Sequence, residues 1–80
     1  MSDKRIPRSV RINGETYEVQ SGWAGTLNLA KWMGPIEYTA REPYAHIQNL
    51  YFVYDKNGSQ VGEFDANHGS CRGCVDSISM

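Results

Sequence analysis

No apolar run in these 80 residues approaches the roughly 18 needed to cross a bilayer as a helix. The basic residues near the N-terminus have no apolar stretch behind them, so they do not read as a secretory signal. A Gly-rich phosphate loop, a Gly-x-Ser-x-Gly elbow and a His-Glu-x-x-His helix are all missing. Internal repeats, heptads and low-complexity segments are missing as well. The expectation is a cytoplasmic, non-enzymatic single domain with no membrane partner. In that setting Cys71 and Cys74 read as thiols or metal ligands before a structural disulfide. The glycosylation sequon Asn57–Ser59 then carries no weight.

Charge is scarce in total and uneven in place. Residues 1–14 hold Lys4, Arg5, Arg8 and Arg11 against Asp3, a balance of +3, whereas residues 15–80 hold four basic groups against eight acids. Residues 1–8 therefore read as a flexible basic arm on an acidic body. Such an arm could bind nucleic acid weakly and without sequence preference, an alternative function that predicts steep salt dependence. Basic residues are sparse where the aromatics are dense. Tyr51, Phe52 and Tyr54 share one stretch, but Lys56 is the single basic residue between 44 and 65. Phosphates are repelled there, so nucleic acid is not the expected partner of that block.

Two hairpins are legible. Asn13-Gly14 between alternating runs is a type I′ signal, and a two-residue loop pairs Ile12 with Glu15 and Val10 with Tyr17. Val10, Ile12, Tyr17 and Val19 then share the core face. Asn49–Asp65 folds back at Asp55–Gly58 in a type I turn. Its expected register pairs Val53 with Val61, Phe52 with Gly62 and Leu50 with Phe64. That places Tyr51, Val53, Val61 and Glu63 on a face opposite Leu50, Phe52, Tyr54 and Phe64.

Between the hairpins, Leu27–Met33 reads as a short helix within about residues 24–33, capped by Thr26 or Ser21 and ended by Gly34-Pro35. Trp23 and Trp32 are expected in the core. Ile36–Ile47 is ambiguous between a third strand at Ile36–Tyr38 and a helical turn. The sum is α+β: a small antiparallel sheet of two hairpins (about 9–19 and 49–65) with one helix on one face. The domain spans 9–66, followed by a tail at 67–80.

That tail carries His68, Cys71 and Cys74 in a His-x2-Cys-x2-Cys spacing. With His46 the set would complete a tetrahedral zinc site, Asp65 or Asp76 being substitutes for the fourth ligand. A zinc-stabilised module is thus the main alternative function. The Cys71–Cys74 pair as a redox dithiol, with Arg72 lowering a thiol pKa, lacks the βαβ framework such pairs use.

The leading expectation rests on the second hairpin, which carries apolar residues on both faces. One helix can cover one face. Tyr51, Val53 and Val61, rimmed by Glu63 and Lys56, would then face a protein partner. The chain is read as a small protein-binding module, compatible with a homodimer. By size it suggests an inhibitor or adaptor of phage or mobile-element type.

Overall fold

The computed structural model describes residues 5–21, 25–44, 47 and 49–80. Eight strands account for most of them: β1 (Ser9–Ile12), β2 (Glu15–Ser21), β3 (Thr26–Ala30), β4 (Ile36–Arg41), β5 (Leu50–Tyr54), β6 (Gln60–Asp65), β7 (Ser70–Gly73) and β8 (Val75–Ser79). They form one antiparallel sheet in the order β7-β6-β5-β4-β3-β2-β1-β8. This is an up-and-down meander whose last strand returns beside the first. The two ends of the sheet curl toward each other into a nearly closed barrel, with β8 lying against β6 and β7 as well as β1.

The α+β expectation is overturned: no helix exists among the described residues, and the protein is all-β. Thr26–Ala30, read as helical, is a strand. Leu and Ala have good helical propensity, but Leu27 and Leu29 alternate with Thr26 and Asn28, and both leucines are buried. A short apolar run fits period 2 as well as period 3.6, and the pairing offered by β2 and β4 decides it. The tail at 67–80 is not a tail, because it supplies β7 and β8. Residues 5–8 of the expected arm are anchored to the barrel. Pro7 is fully buried, Arg8 N–H donates to Ser79 O at 2.7 Å, and Arg5 N–H donates to the Asn49 side chain at 2.6 Å.

Strand alternation fills the interior. Cross-strand pairs pass the apolar layer around the wall: Val10 opposite Tyr17, Val19 opposite Leu29, Leu27 opposite Ala40, Ala40 opposite Val53, and Tyr51 opposite Phe64. Tyr51 stacks on Phe64 with ring centres 5.1 Å apart, and Tyr17 meets Tyr38 edge-on at 5.2 Å. Each such aromatic pair adds about 0.5–1.5 kcal/mol to the area it buries. An eight-stranded barrel is just wide enough to be packed by side chains rather than to hold a channel.

The first hairpin has the register expected from its turn, with Val10 opposite Tyr17 and Ile12 opposite Glu15. Asn13 and Gly14 both take positive φ, 51° and 80°. The second hairpin differs from expectation by one residue, pairing Val53 with Gly62, Phe52 with Glu63 and Tyr51 with Phe64. Its bulge leaves Val61 as the extra residue, since Tyr54 already faces Gln60. A shift of one turns over one strand relative to the other, so Phe64 and Glu63 keep their expected sides while Tyr51 and Val53 turn inward.

Closure depends on the corner between β7 and β8. Cys74 N–H donates to Val61 O at 3.0 Å, and Cys74 O accepts from Asn13 N–H at 3.0 Å. One residue thus joins the two ends of the sheet. Gly73 permits this by taking φ 68° and lying so close to β6 that a Cβ would sit 2.6 Å from Val61 O and 2.7 Å from Gly62 Cα. A second bulge, at Asp76 in β8, turns the Asp76 carboxylate to accept from Gly14 N–H at 2.6 Å.

Candidate functional site

The corrected register moves the expected binding face indoors. Tyr51 and Val53 are fully buried in the barrel. Val61 packs half-buried against the core. The wall of the barrel covers them, and Ile36–Arg41 belongs to that wall as β4, paired with β5. Glu63 and Lys56 remain outside. The outer wall of β5 instead shows Leu50, Phe52 and Tyr54, each half-buried. The Arg41 guanidinium lies over the Tyr54 ring at 5.2 Å, a cation–π contact. Arg72 stands opposite Glu63 on the neighbouring strands.

The metal set is not assembled. His68 is exposed in the turn at 66–69, whose backbone is held by the Asp65 carboxylate: Asn67 N–H donates to it at 2.8 Å and His68 N–H at 3.3 Å. Cys71 lies opposite the buried Phe64, and Cys74 forms the corner at the far end of β7. An extended strand advances about 3.3 Å per residue, so β7 holds Cys74 on the order of 13 Å from the 66–69 turn. Among the described residues no three His, Cys, Asp or Glu side chains come together as metal ligands would. His46 lies outside the described residues, as does Trp23. Arg72 does not activate either thiol. Burial first, and then the charge of Asp76, push the Cys71 and Cys74 thiols up from their ordinary value.

Reading the sequence missed the most exposed apolar feature. Trp32 is 78% exposed and Met33 90% exposed, at the turn Lys31–Pro35 between β3 and β4. Trp32 is expected in the core because so small a domain usually buries its tryptophans. In the strand reading it falls at the tip of a hairpin, clear of the wall. The tip is fixed in shape. Gly34 N–H donates to Lys31 O at 2.8 Å. Met33 holds φ 60°, a left-handed conformation that costs a non-glycine residue roughly 1 kcal/mol. Lys31 at its base pairs with Glu15 at 2.8 Å and lies 5.8 Å over the Tyr17 ring.

Beside the tip is a notch. β5 ends at Tyr54, opposite Thr39, whereas β4 runs on to Ile36, paired there with β3 alone. The turn after β5 stands away from this overhang and leaves a groove of ≈ 330 Å³ lined by Ile36, Tyr38, Thr39, Arg41, Tyr54 and Lys56, among others. Ile36, 45% exposed, lines the notch and directly follows the tip. The arrangement brings together apolar anchors, aromatic walls and a balanced polar rim of Glu37 and Asp55 with Arg41 and Lys56. Comparison with family models, curated proteins and solved structures finds no match to this chain.

Proposed function

We propose that this chain is a non-catalytic protein-binding module, an adaptor or inhibitor, that docks through the end of the β3–β4 hairpin and the outer wall beside it. The observation that carries the reading is the exposure of Trp32 and Met33 on a turn of fixed backbone. Interface hot spots are enriched in tryptophan and sit on preorganised elements, where little conformational freedom is left to lose on binding. The neighbouring surface has the composition of an interface: Ile36, Phe52 and Tyr54 among Arg41, Lys56 and Glu63. Tyr51 and Val53 serve it as scaffold, by holding β5 in place from inside.

The test is a comparative pull-down from a lysate of the source cells. Native protein, a Trp32→Ser/Met33→Ser variant and a control altered at the opposite end of the barrel, at Gln20 and Asn67, serve as baits. Loss of the captured partners from the tip variant alone is expected. Retention of every partner by that variant overturns the reading.

A further inference from the structure

We propose that this end of the barrel is a self-association site, in which two copies meet about a two-fold axis and the Trp32–Met33 tip of each seats in the notch of the other. The inference rests on the protein-binding reading and names the partner as a second copy of this chain.

Placement is the first argument. Isologous dimers need a knob and a matching hole on one surface patch. Here the tip follows directly from β3, the notch is the overhang of β4, and Ile36 is where the two meet. An axis passing near Ile36 sets each tip against the other copy's notch, and both contacts form together.

Size and chemistry agree with that arrangement. The notch, ≈ 330 Å³, is at the small end of the range for specific pockets, about 300–1,000 Å³, and has room for one large side chain. Its own Trp32 does not fill it, being 78% exposed. Tyr38 and Tyr54 line the notch, and Lys56 offers a cation to an indole's π surface, Arg41 being already held over the Tyr54 ring. A nearly exposed tryptophan and methionine with a half-exposed isoleucine present roughly 400 Å² of apolar surface, given 150–250 Å² for a buried aromatic. The notch walls add little to this, and the sum stays below the approximately 800 Å² per partner of a standard interface, so the dimer is a weak one. Electrostatics permits the approach. Lys31 is already matched by Glu15, and the notch rim balances Glu37 and Asp55 against Arg41 and Lys56, so no like-charged surfaces meet.

Sedimentation velocity of the full chain, from micromolar to several hundred micromolar, tests the inference. Native protein is expected to show a reversible monomer–dimer equilibrium. Trp32→Ser/Met33→Ser, which alters only exposed side chains and keeps its thermal melt, is expected to stay monomeric. Thr39→Arg, which fills the notch, is expected to do the same. Mixing these two variants restores one tip-in-notch contact and is expected to yield a weaker 1:1 dimer. Native protein that stays monomeric at every concentration, or a tip variant that dimerises as native does, overturns the proposal. A monomeric native protein whose tip variant still loses captured partners would sink self-association and leave the binding reading standing. A tip-dependent dimer whose tip variant keeps every captured partner would do the reverse.

Discussion

Two turns at the same end of the barrel are built for opposite purposes. At the β7–β8 corner, Gly73 lies in backbone contact with β6 and has no room for a methyl group. At the β3–β4 turn, the two most exposed large apolar side chains of the described residues stand in solvent. Both turns hold a positive φ, at Gly73 and at Met33. At the corner the left-handed residue is the one type that has no Cβ penalty, and its placement closes the sheet. At the tip a methionine accepts the penalty, and its placement closes nothing within the chain. Stability is concentrated in the first turn, and the second is free to recognise something else.

The largest effect should come from breaking the corner. Gly73→Ala places a Cβ 2.6 Å from a backbone oxygen and forces a left-handed alanine. Its expected cost is about 3–5 kcal/mol, from overpacking against atoms that cannot rotate away together with the conformational penalty. A domain of 80 residues has roughly 4–12 kcal/mol in total. Chemical denaturation should therefore find this variant largely unfolded or close to it. A midpoint equal to native would show that the corner does not close the barrel.

Asn49 tests the opposite end. It is buried with φ 71° and accepts Arg5 N–H on its side chain and Ala66 N–H on its carbonyl. Asn49→Ala keeps the carbonyl contact, loses the side-chain one and leaves a left-handed alanine. At least about 2 kcal/mol of destabilisation is expected from the lost side-chain hydrogen bonding plus the backbone term.

The thiols of Cys71 in β7 and Cys74 at its corner predict a response to alkali. Burial raises the folded pKa of Cys71 and Cys74 above the ordinary 9.0, so the folded state holds these protons more tightly than the unfolded state. The contribution is complete below the ordinary value and is lost as pH rises through the raised one. Thermal stability should be level near neutrality and decline above about pH 9. Cys71→Ala/Cys74→Ala should flatten the first part of that decline. Tyr17, raised above 10.0 chiefly by burial, would extend the decline to higher pH. An unchanged alkaline profile in the double variant would remove the thiols from the account.

The smallest effect is expected at the tip. Trp32→Ser/Met33→Ser should alter stability by no more than about 0.5 kcal/mol, because neither side chain packs against the chain. Met33→Gly should stabilise by about 0.4–1 kcal/mol through relief of the left-handed penalty. A large loss in the first variant would mean that the tip supports the fold, which would erase the contrast with the corner.

These contrasts also explain what the sequence made legible. Asn13-Gly14 fixes its own hairpin because two residues of the right conformational tolerance sit between alternating strands, and nothing distant is needed. The Asn49–Asp65 hairpin is equally visible as a hairpin, but its register depends on a bulge at Val61 that carries no composition of its own. The single-residue shift exchanged Tyr51 and Val53 for Phe52 and Tyr54 on the outer face. Ser70–Ser79 offers little β-forming composition, and its strands exist because β6 and β1 present unpaired edges. Leu27–Ala30 fits two periods, and only its neighbours choose between them. Of the candidate site, Lys56 and Glu63 were placed on the outside, whereas Trp32 was lost to the expectation that so small a domain buries its tryptophans.

The pairing of β8 with β1 has a consequence for how the chain is made. Ser9 and Ser79 are cross-strand neighbours, so the seam of the barrel joins segments from opposite ends of the sequence. Loop-closure entropy makes such a seam a late and slow event in folding. Until residues 75–79 have been synthesised, β1 keeps a bare edge of unpaired amides and carbonyls, open to any other strand that arrives first. Chaperone dependence, and aggregation of chains shortened by those residues, should follow from this one seam.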